Sequence, residues 1–278
     1  MKPFEYYNPE HLIFGCGTFN QLATLPMPGK KACIVCTPSR RYVDRAIELL
    51  AQNGVECVVY DKCRQNPDTT TIGNGAKFAY EQGVDFLVSI GGGSTTDTAK
   101  CMGVLLDNGV NDNIWDYVAY YEGHKEPKSM MPLVIVSTTS GTGTEADQSG
   151  VLTEEFKNIK LDVAYPCMWS VYSIVDPELQ TSVPPFYTAC QGMDVIFHSS
   201  ESYLDKYHTP YTDICERNTF ISCGSSSSLL LRRNSPKLKI LELFTRYLLS
   251  LESSSVICME RNFSIVNAFP FRPTRSLL

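Results

Sequence analysis

Gly91-Gly-Gly-Ser-Thr-Thr-Asp-Thr-Ala-Lys100, GGGSTTDTAK, follows the short apolar run VDFLVSI of residues 84–90. That run is rich in β-favouring residues and reads as a buried parallel strand. Beyond the glycines, Ala99, Met102, Leu105 and Leu106 recur at helical spacing and predict a helix over Thr95 to Leu106. A strand that feeds a helix through three glycines brings backbone N–H groups to a helix N-terminus, where the helix dipole favours an anion. Without a Cβ at these positions a phosphate can come close. Asp97, three residues after Ser94, completes an S-x-x-D pattern and predicts a capping box.

Outward from this stretch the chain alternates. KKACIVCT (30–37) reads as a strand, Val43–Asn53 as a helix ended by Gly54, and Val55–Tyr60 as a strand. Asn66-Pro-Asp68 reads as a turn, and Thr70–Gln82 as a helix ended by Gly83. Strands alternating with helices predict an α/β fold, a Rossmann-like parallel sheet with helices on both faces. Ligands in such sheets sit beyond the carboxyl ends of the strands, where Gly91, Gly92, Gly93 and Ser94 fall. Pro132–Ser137 is another buried strand, and it runs into Thr138-Thr-Ser-Gly-Thr-Gly-Thr-Glu145, a second glycine-bearing turn. Val171–Val175 reads as a further strand and Tyr187–Tyr203 as a long helix that places Asp194 and His198 four apart on one face. A carboxylate and an imidazole so spaced can share a side-chain hydrogen bond or a metal ion.

Composition narrows the function classes. The 278 residues are 43% hydrophobic and 19% charged, as in soluble globular proteins, with no apolar run long enough to predict a membrane span. A net charge of −6 gives no reason to expect a nucleic acid partner. The start, MKPFEYYNPEH, lacks the basic and apolar regions of a signal peptide, and the eleven cysteines are scattered. Cys33 and Cys36 form the sole C-x-x-C, but on a strand they face opposite ways, so reduced thiols and a cytoplasmic location are expected. From Arg217 onward nine Lys/Arg stand against three Glu, leaving −12 for residues 1–216. That tail has two serine runs and neither Asp nor His, a composition shift that predicts a boundary.

GGGSTTDTAK, TTSGTGTE (138–145), the DPEL segment (176–179) with Pro184, and GMDVIFHSSE (192–201), in this order, resemble the iron-containing, or group III, alcohol dehydrogenase family over roughly residues 3–216. The resemblance implies a nucleotide-binding α/β domain over residues 1–180 and the start of an all-helical, metal-binding domain over 181–216. Residues 217–278 form an atypical tail, expected to reflect a changed reading frame or a truncated, diverged end. The implied cofactors are NAD or NADP with Fe²⁺, and the implied substrate is a small alcohol or aldehyde. A glycerol dehydrogenase-like relation would instead imply Zn²⁺. Intact relatives imply a homo-oligomer.

By the same resemblance Gly91, Gly92, Gly93 and Ser94 hold the pyrophosphate with Asp97 nearby, and Thr138, Thr139 and Thr142 line the nucleotide site. Lys160 matches a lysine near the cofactor, and Asp194 and His198 match the first two metal ligands. Thr37, followed by Pro38, Ser39, Arg40 and Arg41, stands where NAD-preferring relatives often carry an acid, which leaves NAD against NADP open. In the family, two histidines on later helices complete the metal site. Here the histidines are His11, His124, His198 and His208, so an impaired dehydrogenase, or a catalytically dead nucleotide-binding module, is expected.

Overall fold

The computed structural model describes residues 3–4, 7–206 and 208–219. Its strands and helices, in chain order, are β1 (Leu12–Phe14), β2 (Lys31–Cys36), α1 (Val43–Gln52), β3 (Glu56–Tyr60), α2 (Thr69–Gln82) and β4 (Phe86–Gly91). Then come α3 (Gly93–Asn108), β5 (Leu133–Ser137), β6 (Ser149–Glu154), β7 (Ile159–Ala164), β8 (Tyr172–Val175), α4 (Pro177–Gln180) and α5 (Pro185–Leu204). A further helix occupies residues 210–219. The expectation for the tail falls, from residue 220 on, outside the described residues. Among the described residues no helix is long and apolar enough to cross a membrane.

Six strands form one sheet in the order β1-β8-β5-β4-β2-β3, every neighbouring pair parallel. Alternate residues of the same strand enter different cores. Cys33, Val35, Leu87 and Ile135 pack against Ile72 and Ala76 of α2 and Met102 and Leu105 of α3. Ala32, Ile34, Cys36, Val88 and Val136 pack on the other face with Ala46 and Leu50 of α1. Cys33 and Cys36 therefore sit on opposite faces, and burial pushes their thiols up to about 12 and about 11. The chain moves outward from β2 to β3, then returns to place β4 on the other side of β2. That reversal opens a crevice at the carboxyl ends of β2 and β4.

The S-x-x-D expectation is overturned. The N-cap of α3 is Gly92, with no side-chain cap, and the helix starts two residues earlier than its apolar spacing predicts. Asp97 instead accepts a hydrogen bond from Thr144 Oγ1 at 2.7 Å, in the segment after β5. One turn on, Lys100 is fully buried and its ammonium spans to that same segment. Its Nζ donates to Thr144 O at 2.6 Å, Asp147 O at 2.7 Å, Asp147 Oδ1 at 2.6 Å and Ser149 O at 3.0 Å. The antiparallel pair β6–β7 follows directly and packs on α3.

Two predictions follow from this packing. In α2, a Cβ on Gly75 would lie 2.6 Å from Met102 Sδ and 2.8 Å from Tyr60 Cε1, with Tyr60 pinned by its hydroxyl's bond to Thr71 O. Replacing an interior helix glycine by alanine ordinarily gains about 0.5–1 kcal/mol. Here overpacking should reverse the sign, and Gly75→Ala should lose roughly 1–2 kcal/mol in urea unfolding. A raised midpoint would show that the α2–α3 contact has slack.

The second prediction concerns pH. Burial pushes Asp97 and Glu145 up to about 7, with Lys100 pulling both down and Asp147 pushing both up. In the unfolded chain each ionises near pH 4. Between about pH 4 and 7 the fold therefore holds protons that the unfolded chain has released, so stability falls as pH rises through that window. Glu145→Gln should be close to neutral at pH 4 and stabilising by roughly 1–3 kcal/mol at pH 8. Equal effects at both pH values, read from urea midpoints, would contradict the buried-acid account.

Candidate active site

The two glycine turns meet edge to edge. The N–H of Thr138 donates to Gly91 O at 2.9 Å, so the end of β5 is tied to the end of β4. A Cβ on Gly92 would lie 2.6 Å from Thr139 Oγ1, and one on Gly93 would lie 2.9 Å from Thr142 Oγ1. The sequence reading assigns the missing Cβ atoms to an approaching phosphate. The geometry shows a prior reason: without them the second turn can lie against the first. Gly91 is constrained within its own turn, since a Cβ there would meet Thr95 Oγ1 at 2.4 Å.

The result is a cradle. The first turn of α3, which carries no side-chain cap, opens at the carboxyl end of β4, and the hydroxyls of Ser94, Thr138, Thr139 and Thr142 stand on the two turns around it. Uncapped helix N–H groups beside flexible hydroxyl donors suit an anionic group of pyrophosphate size. The residues present thus fit the dinucleotide that the sequence implies. Thr37 lies just past β2, exposed, with its hydroxyl 2.9 Å from Ser39 Oγ.

Lys160 comes to this cradle from the hairpin. It lies on β7, and its Nζ donates to Asn66 Oδ1 at 3.2 Å, while the Asn66 N–H reaches Ser94 Oγ at 3.3 Å. Its positive charge pulls down the carboxyls of both Asp97 and Asp194, each of which burial pushes up. The structure therefore brings Ser94, Asp97, Lys160 and Asp194 into one electrostatic neighbourhood from three different elements. Asn66 belongs to it as well, and the sequence reading gave that residue only a turn.

Helix α5 supplies the other wall. Gln191 Oε1 accepts from Ser140 Oγ at 3.1 Å, and a Cβ on Gly141, whose φ is +109°, would meet the Gln191 carbonyl oxygen at 3.0 Å. One turn further on, His198 Nε2 lies 3.8 Å from Asp194 Oδ1. Gln191 was not singled out in the sequence, because nothing local distinguishes it from a surface glutamine.

The donor set for a metal is short among the described residues. Asp194 and His198 are adjacent, but no group of three or more His, Cys, Asp or Glu is placed to hold an ion. His208 lies past the end of α5 and pairs with Asp213 through Nδ1 at 2.9 Å, and Cys215 is buried. A catalytic divalent ion ordinarily takes at least three protein ligands. The two donors alone do not fit that requirement.

The sequence pattern of the iron-containing alcohol dehydrogenase family matches residues 9–177. Alcohol dehydrogenase 4 of Schizosaccharomyces pombe is 33% identical over 216 residues, 76% of this chain and 50% of that protein. An NADH-dependent butanol dehydrogenase A from Thermotoga maritima superposes with a TM-score of 0.80 at 22% identity, over 92% of this chain and 65% of its own, a likeness of fold. A sulfoacetaldehyde reductase from Bifidobacterium kashiwanohense, solved in complex with NAD⁺, gives a TM-score of 0.79 at 25% identity, over 91% and 67%. The chain spans about half the length of the curated relatives it matches. With more than half of its own length inside the family pattern, and both glycine turns within that span, the chain belongs to the iron-containing alcohol dehydrogenase family.

Proposed function

We propose that this chain binds NAD(H) or NADP(H) at the carboxyl ends of β4 and β5 and serves hydride transfer between that nucleotide and a small alcohol or aldehyde. The observation that carries the reading is the meeting of the two glycine turns in front of the uncapped start of α3. The nicotinamide ring, when bound, supplies the site that accepts or gives up the hydride.

The residues divide the work. Amides at Gly92, Gly93 and Ser94 hold the pyrophosphate, and Thr138, Thr139 and Thr142 add hydroxyl donors. Asp97 fixes Thr144 and so keeps the second turn in register with the first. Lys160 keeps a cation between the nucleotide and α5, and Thr37 lies on the adenosine side, beyond β2. Asp194 and His198 offer two donors to Fe²⁺, or to Zn²⁺ in a glycerol dehydrogenase-like setting.

A second reading, a nucleotide-binding module without catalysis, is favoured by one observation, the two-donor set among the described residues. The two readings differ in what they measure. Both expect calorimetry to show nucleotide binding, and both expect Gly92→Val to weaken it by at least about tenfold, since the side chain would drive the turns apart. A folded wild-type chain that binds neither nucleotide would end both.

Turnover and metal content separate them. Given two donors, this 278-residue chain should bind Fe²⁺ weakly and oxidise a simple primary alcohol slowly or not at all. Robust metal-dependent oxidation, with close to one iron or zinc per chain, would show that further ligands complete the site and would discard the module reading.

A further inference from the structure

Beside the nucleotide cradle, on the side away from β5, strands β2 and β3 end together. Their register pairs Val35 with Tyr60, so the residues that leave the sheet next, Thr37 from one and Asp61 and Lys62 from the other, emerge at the same corner. The turn after β2 is fixed rather than floppy: the Arg40 N–H bonds Thr37 O at 3.0 Å, and Tyr42 donates through its hydroxyl to Leu179 O at 2.9 Å. Arg40 and Tyr42 both adopt left-handed backbone conformations, φ +50° and +67°, which turn the chain back across the strand ends. Arg40 Nη1 then stands 4.0 Å from Asp61 Oδ2, and Lys62 Nζ stands 3.1 Å from Asp61 Oδ1.

A dinucleotide whose pyrophosphate sits at the end of β4 lays one ribose over the neighbouring strand ends, and the reversal of strand order puts β2 there. The group that meets the ribose 2′ position decides between a hydroxyl and a phosphate: a carboxylate accepts from the hydroxyl and repels the phosphate, whereas an arginine pairs with the phosphate. Thr37 carries no charge. The ion pairs at this corner join Arg40 and Lys62 to Asp61, so the one carboxylate occupies both cations.

Resting on the nucleotide reading above, we propose that Asp61 sets the choice between NAD(H) and NADP(H), by holding Arg40 against itself and away from a 2′-phosphate. The acid that discriminates between the cofactors is thus supplied from the end of β3, the strand next to the one that ends in a threonine. Ionisation of Asp61 favours this arrangement at neutral pH, because Lys62 first, and Arg40 after it, hold its carboxyl below the usual carboxylate range. Arg40 is exposed and Asp61 half-buried, so loss of the pair should leave the fold intact.

The test is calorimetric binding of NADH and NADPH to the full chain and to Asp61→Asn, Arg40→Gln and the double variant. Asp61→Asn should bind NADPH about tenfold more tightly, with NADH changed by less than about twofold. In the Arg40→Gln background the same substitution should give no such gain, since the arginine that it frees is gone. An unchanged NADPH-to-NADH ratio in Asp61→Asn would overturn the inference while leaving nucleotide binding standing. So would a gain that survives Arg40→Gln, which would trace the effect to Lys62 or to net charge. A wild type that is folded and binds neither nucleotide would remove the proposed function and this inference with it.

Discussion

Lys100 is the point on which the site depends. Its ammonium is withdrawn completely from water and surrounded by three carbonyl oxygens and one carboxylate, all from the segment that runs from β5 into the first residue of β6. An isolated charge there would be untenable, and removing one partner of a buried ion pair costs about 3–5 kcal/mol. Because Lys100 and Asp97 lie on successive turns of α3, the same helix that presents its N-terminus to the cradle also grips the loop that forms the cradle's second half. The relative position of the two glycine turns is therefore fixed from below, by a polar clamp. Glu10 extends this polar region: its carboxyl is pushed up to about 7 by burial and takes the Ser170 hydroxyl at 2.5 Å, and Ser170 in turn lies 3.0 Å from Ser173.

Close approach is the complementary constraint. The turns can be clamped only because Gly92 and Gly93 have no side chain to hold them apart, and the methyls and hydroxyls of Thr139 and Thr142 fill that space to contact distance. Gly141 does the same for α5, letting its backbone come against the second turn. The glycines therefore set distances between elements first, and the opening left for an anion is what those distances enclose. A packed interior transmits small changes of volume, so a methyl group added at this seam would be felt at both turns.

Much of the α/β layer was legible because its strands are apolar on both faces, a pattern that surface strands do not show. Residues 30–37, 84–90 and 132–137 could be placed on that basis, and Gly54 and Gly83 marked helix ends because their positive φ suits glycine. β1 is three half-buried residues and offered no periodicity. The β6–β7 pair was missed for a related reason: β7 is mostly exposed or half-buried, so its sequence looks like a loop. The capping box was misread because a local S-x-x-D pattern carries no information about Thr144, forty-seven residues away, which captures Asp97. Lys100 ends the glycine motif, and a lysine on a helix reads as solvent-facing until the loop that buries it is known. Of the site residues, Asp194 and His198 could be paired from sequence because helical spacing alone brings them together, whereas Asn66, Lys160 and Gln191 meet their partners only through tertiary folding.

One charge links the two halves of the cleft. The sequence separates Asp97 on α3 from Asp194 on α5 by nearly a hundred residues, and their backbones belong to different layers. Burial raises both carboxyls, and Lys160 opposes that rise at both. A single ammonium can favour the ionised form of two acids at once only if it lies within reach of both, and the hydrogen bond to Asn66 Oδ1 helps hold it there. The lysine acts on each acid separately, so loss of that one charge would raise both carboxyls, the one on the nucleotide side and the one beside His198. This shared dependence requires no conformational change. It follows from placing one cation, carried by an otherwise exposed strand, at the mouth of a crevice whose two walls each carry a half-buried carboxylate.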